Sequence, residues 1–210
     1  MLQVRIKGDA VTIEGYVNAI ERKSKPLMSR IGQFVERIKK GAFKRAISRN
    51  DNIKLLLNHD WQRELGSTQD GTLELTEDNI GLRARAKITD PDVVQKARNG
   101  ELVGWSFGFT DREVDKHDEG GIPTRDVKDL NLYEVSILDR SKKPAYEGTL
   151  VSVRSDDEAY YHGAMLEQEI NIREEQTEAP EQREEPKEEP KEIDYTKYEK
   201  LIQEMKEETL

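Results

Sequence analysis

The sequence predicts a mostly β domain that carries helices, followed by a disordered acidic tail. About eight short segments alternate apolar and polar residues as half-buried strands do, and two segments between them have helical spacing. Short strands in this number, with few helices, favour a closed or nearly closed β-barrel. The charge distribution indicates the tail: residues 1–154 carry a net charge of +3, whereas residues 155–210 hold 19 acidic and 7 basic residues. We therefore predict a folded domain over 1–154 and a low-complexity tail over 155–210.

The first ninety residues are predicted to form two hairpins, a further buried strand and one helix. In each hairpin, two alternating segments flank a short polar turn, Gly8-Asp9 in the first and residues 77–79 in the second. In order, the segments are strands at 2–7 and 11–17, a loop at 19–31, an apolar run at 32–38, a helix at 40–49, and strands at 53–58, 71–76 and 80–88. The helix places Phe43, Ala46 and Ile47 on one face.

A second helix opens the remainder of the domain. Asp90 before Pro91 is an N-cap followed by proline in the first turn, and Asn99-Gly100 is a typical C-terminal signal. The segments that follow are a strand at 103–109, a polar turn region at 111–121, and strands at 122–128, 131–138 and 150–154.

The tail is predicted to lack a core of its own. A repeated Glu-Glu-Pro-Lys unit over 184–191 cannot bury enough apolar surface to fold. Residues 193–206 recover helical spacing. Either a short amphipathic helix forms there on a partner, or the segment is a solvated helix that frays.

Composition excludes several classes of chemistry. The chain has no Cys, so disulfides, zinc–thiolate sites and cysteine nucleophiles are excluded, and its three scattered His show no metal-ligand spacing. No apolar run approaches the ~18 residues of a membrane span. We expect no signal peptide, because residues 1–6 already alternate like a strand, and hence a soluble protein. The near-neutral domain and acidic tail disfavour nucleic acid, and we expect no cofactor, metal or membrane partner.

Three residues in predicted strands, or at their ends, carry the chemistry of nucleophilic acyl transfer. Ser106 lies between two glycines in the most apolar short run, His59 follows an apolar strand, and Glu134 alternates with Tyr133 and Val135. A serine hydroxyl needs an adjacent imidazole to take its proton, and a carboxylate can orient that imidazole. The alternatives are a Ser that only packs, a His bonded to a nearby carbonyl and a Glu that faces solvent.

The run Gly104-Trp-Ser106-Phe-Gly108 also matches the G-x-S-x-G nucleophile elbow of α/β-hydrolases. That motif requires a strand, a sharp turn and then a helix, but polar alternating sequence follows here. Its triad order would place the His last, which leaves His117, too close to Ser106, or His162 in the acidic tail. We therefore reject this interpretation.

Four segments in order resemble the caudovirus prohead serine protease family over roughly residues 1–150. They are residues 34–43 (FVERIKKGAF), 56–60 (LLNHD), 104–109 (GWSFGF) and 132–137 (LYEVSI). The resemblance implies a fold related to herpesvirus assemblin, a barrel of about seven strands surrounded by helices. It also implies a maturation protease that enters the phage procapsid with the scaffold, and cleaves scaffold or capsid-protein extensions and itself.

Carried onto this sequence, the resemblance implies that Ser106 is the nucleophile and His59 the general base. Assemblins use a His as the third member, and the matching strand here offers Glu134, with His117 and Asp139 as poorer candidates. An Arg soon after the third member supports the oxyanion in assemblins, and Arg140 is the loose match. Backbone N–H groups after Asp139 are the default donors.

The resemblance implies that the partners are phage scaffold and major capsid protein, as substrates, and it also leads us to expect a homodimer. The implied location is the assembling procapsid in the host cytoplasm. The alternative function is a non-catalytic assembly protein that keeps this fold and acts through its tail as a scaffold. The simultaneous presence of His59 and Ser106 favours the protease, because a scaffold needs neither.

Overall fold

The computed structural model describes residues 2–29, 32–141, 151–153, 159–162 and 170–175. Within them the chain forms thirteen strands and two helices. The strands are β1 (Leu2–Lys7), β2 (Ala10–Ala19), β3 (Leu27–Ser29), β4 (Gly32–Ile38), β5 (Lys54–Leu57), β6 (Asp60–Ser67), β7 (Leu73–Glu77), β8 (Gly81–Ile88), β9 (Leu102–Glu119), β10 (Ile122–Asp139), β11 (Val151–Val153), β12 (Ala159–His162) and β13 (Ile170–Glu174). The helices are α1 (Ala42–Arg49) and α2 (Pro91–Arg98).

The strands form two sheets. One has the order β13-β1-β2-β8-β7; the other runs β11-β12-β9-β10-β4-β3, with β5 paired to β10 and β6 paired to β5. Both orders end at edge strands, so neither sheet closes into a barrel within the described residues. The predicted mostly β fold with helices is confirmed, whereas the predicted barrel of about seven strands is not observed.

A long antiparallel hairpin of β9 and β10 is the centre of the second sheet. The far edge of β10 is shared by two parallel neighbours, β4 along Thr124–Val127 and β5 along Glu134–Ile137. Irregularities near Val127 and between Leu132 and Glu134 mark bulges that let one strand serve both neighbours. The chain reverses between β9 and β10 at Gly120 and Gly121, which have φ of +69° and +82°. Left-handed φ at both central positions is typical of two-residue hairpin turns.

The strands of the second sheet correct three sequence predictions. The predicted polar turn at 111–121 is wrong, because β9 continues to Glu119 and only the two glycines form the turn. The strands predicted at 122–128 and 131–138 are one strand, β10, interrupted by bulges. The loop predicted at 19–31 contains β3. In β9, pairing with β10 satisfies the backbone of a segment whose side chains are too polar to indicate a strand, and β3 pairs with β4.

Apolar side chains of both sheets and both helices share one core. From β9, Trp105, Phe107 and Phe109 are fully buried in it. The ring of Phe107 meets Phe43 of α1 edge-on, with centroids 5.2 Å apart, and stacks on Phe109 at 5.3 Å. Aromatic packing of this kind holds β9 rigidly, because any rotation of the strand would remove these rings from the core. The alternate residues of β9 therefore face away from the core.

Both helices agree with their sequence signals. Asp90 caps α2, its carboxylate accepting the Val93 N–H at 3.0 Å, and Pro91 occupies the first turn. In α1, Phe43 and Ala46 are buried as predicted. At the N-terminus of α1, the carboxylate of Glu77, a residue of β7, accepts hydrogen bonds from the backbone N–H groups of Gly41 and Lys44.

Two segments of the predicted tail form strands. The strand β12 pairs with β9 from Thr110 to Gly108, and β13 pairs in parallel with β1. These strands lie within the range predicted as tail, and they form because β9 and β1 offer backbone partners to segments without a core of their own. The structure divides into two units, 1–177 and 178–210. The second unit, which contains the repeat at 184–191 and the helix predicted at 193–206, lies outside the described residues.

Candidate active site

The candidate site is built on the outer face of β10, where Glu134 and Ser136 alternate with core residues Val135 and Ile137. In the ladder with β9, Gly108 lies opposite Glu134 and Ser106 lies opposite Ser136. Residues that face each other in a ladder project to the same side of the sheet. Ser106, Glu134 and Ser136 therefore share the side that is turned away from the core.

His59 reaches this face from the turn between β5 and β6. Asn58 and His59 have φ of +57° and +60°, and Leu57 pairs with Asp60, so they form a two-residue hairpin turn in the left-handed region. Asn tolerates this region better than most residues, whereas for His it costs of order 1 kcal/mol. The parallel pairing of β5 with β10 brings the turn beside the last residues of β10.

Three hydrogen bonds attach this turn to β10. The Asn58 N–H donates to the Ile137 carbonyl at 2.9 Å, and the His59 N–H donates to the Ser136 hydroxyl at 3.0 Å. The side-chain oxygen of Asn58 accepts the Asp139 N–H at 3.0 Å. The backbone of the turn is thus held to the strand that carries Glu134.

The side chains of His59 and Glu134 are in direct contact. Nδ1 of His59 lies 2.7 Å from Oε1 of Glu134, while Oε2 of Glu134 accepts the Ser136 hydroxyl at 2.6 Å. The Glu134 side chain is fully buried, and that of His59 is 10% exposed. A carboxylate that accepts the Nδ1 proton fixes the neutral imidazole in the tautomer whose Nε2 can accept a proton. This arrangement can act as an oriented general base.

Ser106 is the hydroxyl group on the neighbouring strand. It is 3% exposed and lies opposite Ser136, which itself bonds both His59 and Glu134. The buried rings of Trp105 and Phe107 fix its position along β9. A serine held this way at one register position has little freedom to leave the face of the sheet.

Other sequence candidates lie in different surroundings. His117 is near the far end of β9, opposite Thr124 and 3.7 Å from Glu119. Arg140 is exposed, and its backbone N–H donates to the Glu101 carbonyl at 2.9 Å. The Ser141 N–H donates to Asp139 at 2.9 Å, so both backbone donors after Asp139 have acceptors within the fold.

Asp139 is an ion-pair partner of α2. Its carboxylate lies 3.3 Å from the Lys96 ammonium. Burial pushes the pKa of Asp139 upward, but hydrogen bonds from Ser141 and Asn58 and the charge of Lys96 outweigh it and hold the pKa below its ordinary value. Asp139 therefore stays charged and ties α2 to the end of β10.

Sequence reasoning did not single out Ser136 or Asn58. Ser136 lies two residues after Glu134, so strand alternation alone would have placed it on the same face. Asn58 directly precedes His59, and an Asn before a polar residue at a strand end is a signal for a left-handed turn. The hydrogen bonds that these side chains make have no counterpart in the sequence pattern.

A cleft of about 580 Å³ is lined by residues that neighbour the site in the chain or in the ladder, but not by His59, Ser106 or Glu134 themselves. Its lining includes Lys54, which faces Glu134 in the parallel ladder, and Tyr133, which precedes Glu134. It also includes Trp61, an exposed indole two residues after His59. The cleft thus combines an aromatic surface with polar and cationic groups.

The described part of the chain contains no group of three or more His, Cys, Asp or Glu that could hold a metal ion. Neither of its helices is long and apolar enough to cross a membrane.

Comparisons with known proteins give one match. A family model described as caudovirus prohead serine protease matches residues 1–162. This range includes His59, Ser106 and Glu134, and it extends through β12. No curated protein matches the chain, and no solved structure does.

Proposed function

Because this chain belongs to the caudovirus prohead serine protease family, we propose that it is a serine endopeptidase in which Ser106, His59 and Glu134 form the catalytic triad. The observation that carries the proposal is the contact of 2.7 Å between Nδ1 of His59 and Oε1 of the fully buried Glu134. A buried carboxylate in contact with an imidazole, beside a strand that bears a serine, has the parts that acyl transfer requires.

The proposed reaction begins when Nε2 of His59 takes the proton of the Ser106 hydroxyl. The Ser106 oxygen attacks the carbonyl carbon of the scissile peptide bond, and the carbonyl oxygen becomes an oxyanion. His59 then gives its proton to the leaving amine, and the acyl group stays on Ser106 until water, deprotonated by His59, releases it. Glu134 remains ionised throughout and stabilises the imidazolium that forms after each proton transfer.

An oxyanion donor is energetically important in such a reaction, since loss of one costs ~3–4 kcal/mol. We assign this support to the Arg140 side chain, which is exposed and extends from the end of the strand that carries Glu134. The backbone N–H of Arg140 is the weaker candidate, because it already donates to Glu101.

The substrates we propose are the scaffold and the extensions of the major capsid protein, together with the chain itself, inside the assembling procapsid in the host cell. An extended peptide would lie along the cleft beside β5 and β10, with the Trp61 indole as an apolar contact. Trp61 is 43% exposed, so a bound side chain would remove apolar surface from water at this position.

The test of the proposal is self-cleavage followed by intact mass. The wild-type chain, incubated alone and then with scaffold and capsid protein, should shorten itself or cut them, whereas Ser106→Ala should show no cleavage. Ser48→Ala is the matched control, because the Ser48 hydroxyl bonds only within α1, to the Arg45 carbonyl. Cleavage by Ser106→Ala at the wild-type rate would exclude Ser106 as the nucleophile. No cleavage by the wild type with all substrates present would favour the non-catalytic assembly protein.

We also propose that the acidic tail docks the protease onto scaffold or capsid subunits. The motivating observation is the charge difference between residues 1–154 and 155–210. Because β12 and β13 pair with the domain, the truncation that tests the tail should keep residues 1–177. This variant should cleave peptides at the wild-type rate and enter proheads less efficiently, as counted by protease copies per particle. Unchanged incorporation would contradict the docking role.

A further inference from the structure

We infer that Ser136 is a positioning residue of the proposed triad: its hydroxyl holds Glu134 and the turn that carries His59 in one arrangement. The inference rests on the proposed function for its catalytic consequence, and on the geometry for the rest. Ser136 does not contact the reacting atoms. It acts through Glu134 and His59, to which it is hydrogen-bonded.

The hydroxyl of Ser136 acts within the site both as a hydrogen-bond donor and as a hydrogen-bond acceptor. It donates to Oε2 of Glu134 at 2.6 Å and accepts the backbone N–H of His59 at 3.0 Å. A hydroxyl has one proton to give and two lone pairs, so one atom can serve both partners at once. Ser136 is fully buried, and its backbone is fixed between β9 and β5 at the register positions of Ser106 and Leu56.

The bond to Glu134 sets the orientation of the carboxylate. The last torsion of a Glu side chain is broad, so one contact at Oε1 leaves the plane of the carboxylate free to rotate. A second contact at Oε2 removes that freedom and keeps Oε1 directed at Nδ1 of His59. Donation from the hydroxyl also favours the ionised carboxylate, which is the form that can accept the Nδ1 proton.

The bond to His59 holds its backbone in an unfavourable conformation. Left-handed φ at His59 persists where surrounding contacts stabilise it. The Ser136 hydroxyl accepts the N–H of His59 itself, and the Ile137 carbonyl accepts the N–H of Asn58. If the Ser136 hydroxyl is removed, the turn keeps its bond at Asn58 but loses this anchor at the catalytic residue.

The experiment compares Ser136→Ala with Ser136→Thr, which retains a hydroxyl, and with Ser67→Ala. Ser67 is a matched control, because it is a buried serine on β6 whose hydroxyl accepts the Asp70 N–H and β5 separates it from Glu134. The substrate is a peptide that spans the self-cleavage site identified from the wild-type fragments. We expect Ser136→Ala to lower kcat by about 10–100-fold, the scale of an ångström of misplacement, with KM within twofold. Ser136→Thr and Ser67→Ala should stay near the wild type.

The pH profile separates positioning from a general loss of packing. A carboxylate that rotates away from Nδ1 stabilises the imidazolium less, so the pH profile of kcat should differ between Ser136→Ala and the wild type. A loss of stability alone would lower the melting temperature of Ser136→Ala and Ser67→Ala together and would leave the profile unchanged. Equal losses for Ser136→Ala and Ser136→Thr, with an unshifted profile, would overturn the inference.

A measurement that does not need activity keeps this inference separate from the proposed function. In the Ser106→Ala background, the imidazole signals of the three His are followed by NMR against pH, and His59→Gln assigns the His59 signal. Adding Ser136→Ala should shift the His59 imidazole signals and leave those of His117 unchanged. If the wild type proves inactive but this shift occurs, the protease proposal fails and the positioning role stands. No shift in a folded protein overturns the positioning role, whatever the activity.

Discussion

Glu134 of β10 and Glu36 of the neighbouring β4 are both buried carboxylates, and their partners differ. Glu134 is fully buried and contacts the His59 imidazole and the Ser136 hydroxyl. Glu36 of β4 is 5% exposed and lies 3.1 Å from the Arg125 guanidinium. Arg125 and Glu134 are nine residues apart on one strand, roughly 30 Å at the rise of a β-strand. β10 therefore contacts two buried glutamates in separate surroundings, one its own and one on the neighbouring β4.

The two carboxylates differ in whether the partner side chain can gain and lose a proton near neutral pH. A guanidinium stays protonated at all ordinary pH values, so the contact of Glu36 with Arg125 can only stabilise or destabilise the fold. An imidazole gains and loses a proton near neutral pH, so the contact of Glu134 with His59 can take part in proton transfer. Burial of a carboxylate thus does not by itself mark a functional site, and the identity of its partner is the informative observation.

The largest expected effect is the loss of cleavage rate when Glu134 is neutralised. The same change at Glu36 is the comparison. Glu134→Gln should lower kcat by about 10³–10⁴-fold, because the amide can present the wrong hydrogen-bonding group to Nδ1 and favours the unproductive tautomer. Glu36→Gln should leave kcat within about threefold, since Glu36 is remote from the site. Self-cleavage rates from intact mass measure both variants.

The activity that remains in Glu134→Gln and in Ser106→Ala separates an orienting residue from the nucleophile. Glu134→Gln should keep low activity, while Ser106→Ala should have none, because the nucleophile cannot be replaced by orientation. Near-wild-type rates for Glu134→Gln and Ser106→Ala alike would contradict the whole triad. A large loss for Glu36→Gln in a folded protein would show that the two ends of β10 are coupled.

A smaller effect, on the free energy of unfolding, should come from Glu36. Burial raises the pKa of Glu36 from its ordinary 4.5 to about 7, although the charge of Arg125 opposes this. The folded state therefore binds the proton more tightly than the unfolded chain does. This contribution is fully present below about pH 4.5 and is lost as the pH rises to about 7. Between pH 5 and 8 the free energy of unfolding should fall by on the order of 2 kcal/mol from this group.

Glu36→Gln isolates this contribution, because every other titrating group is common to both proteins. The free energy of unfolding of the variant should depend less on pH than that of the wild type. Arg125 should keep its ion pair with Asp111. Urea unfolding at pH 5, 6, 7 and 8 gives both curves. Parallel curves for the wild type and Glu36→Gln would mean that Glu36 is already ionised in the folded state at pH 5.

The accuracy of the sequence-based predictions depended on how local each signal was. The capped helix after Asp90, the buried face of α1 and the first hairpin were confirmed, because caps, periodicity and turn residues act within a few positions. The extension of β9 to Glu119 was missed, because its polar residues are strand only through pairing with β10. The strand β13 was missed for the same reason, since β1 supplies its partner.

For the site, the sequence by itself determined which residue types are available and that each lies in or beside a strand. Alternation was enough to place Ser106 and Glu134 opposite the core, because the strand period is local. Only the tertiary structure decided that His59 contacts Glu134, a residue 75 positions away, and that Ser136 joins them. That contact depends on the parallel register of β5 with β10 and on the left-handed turn after β5. Asn58 is a local signal for the turn, but the register is not encoded locally, because strand pairing is a nonlocal choice made by the whole core.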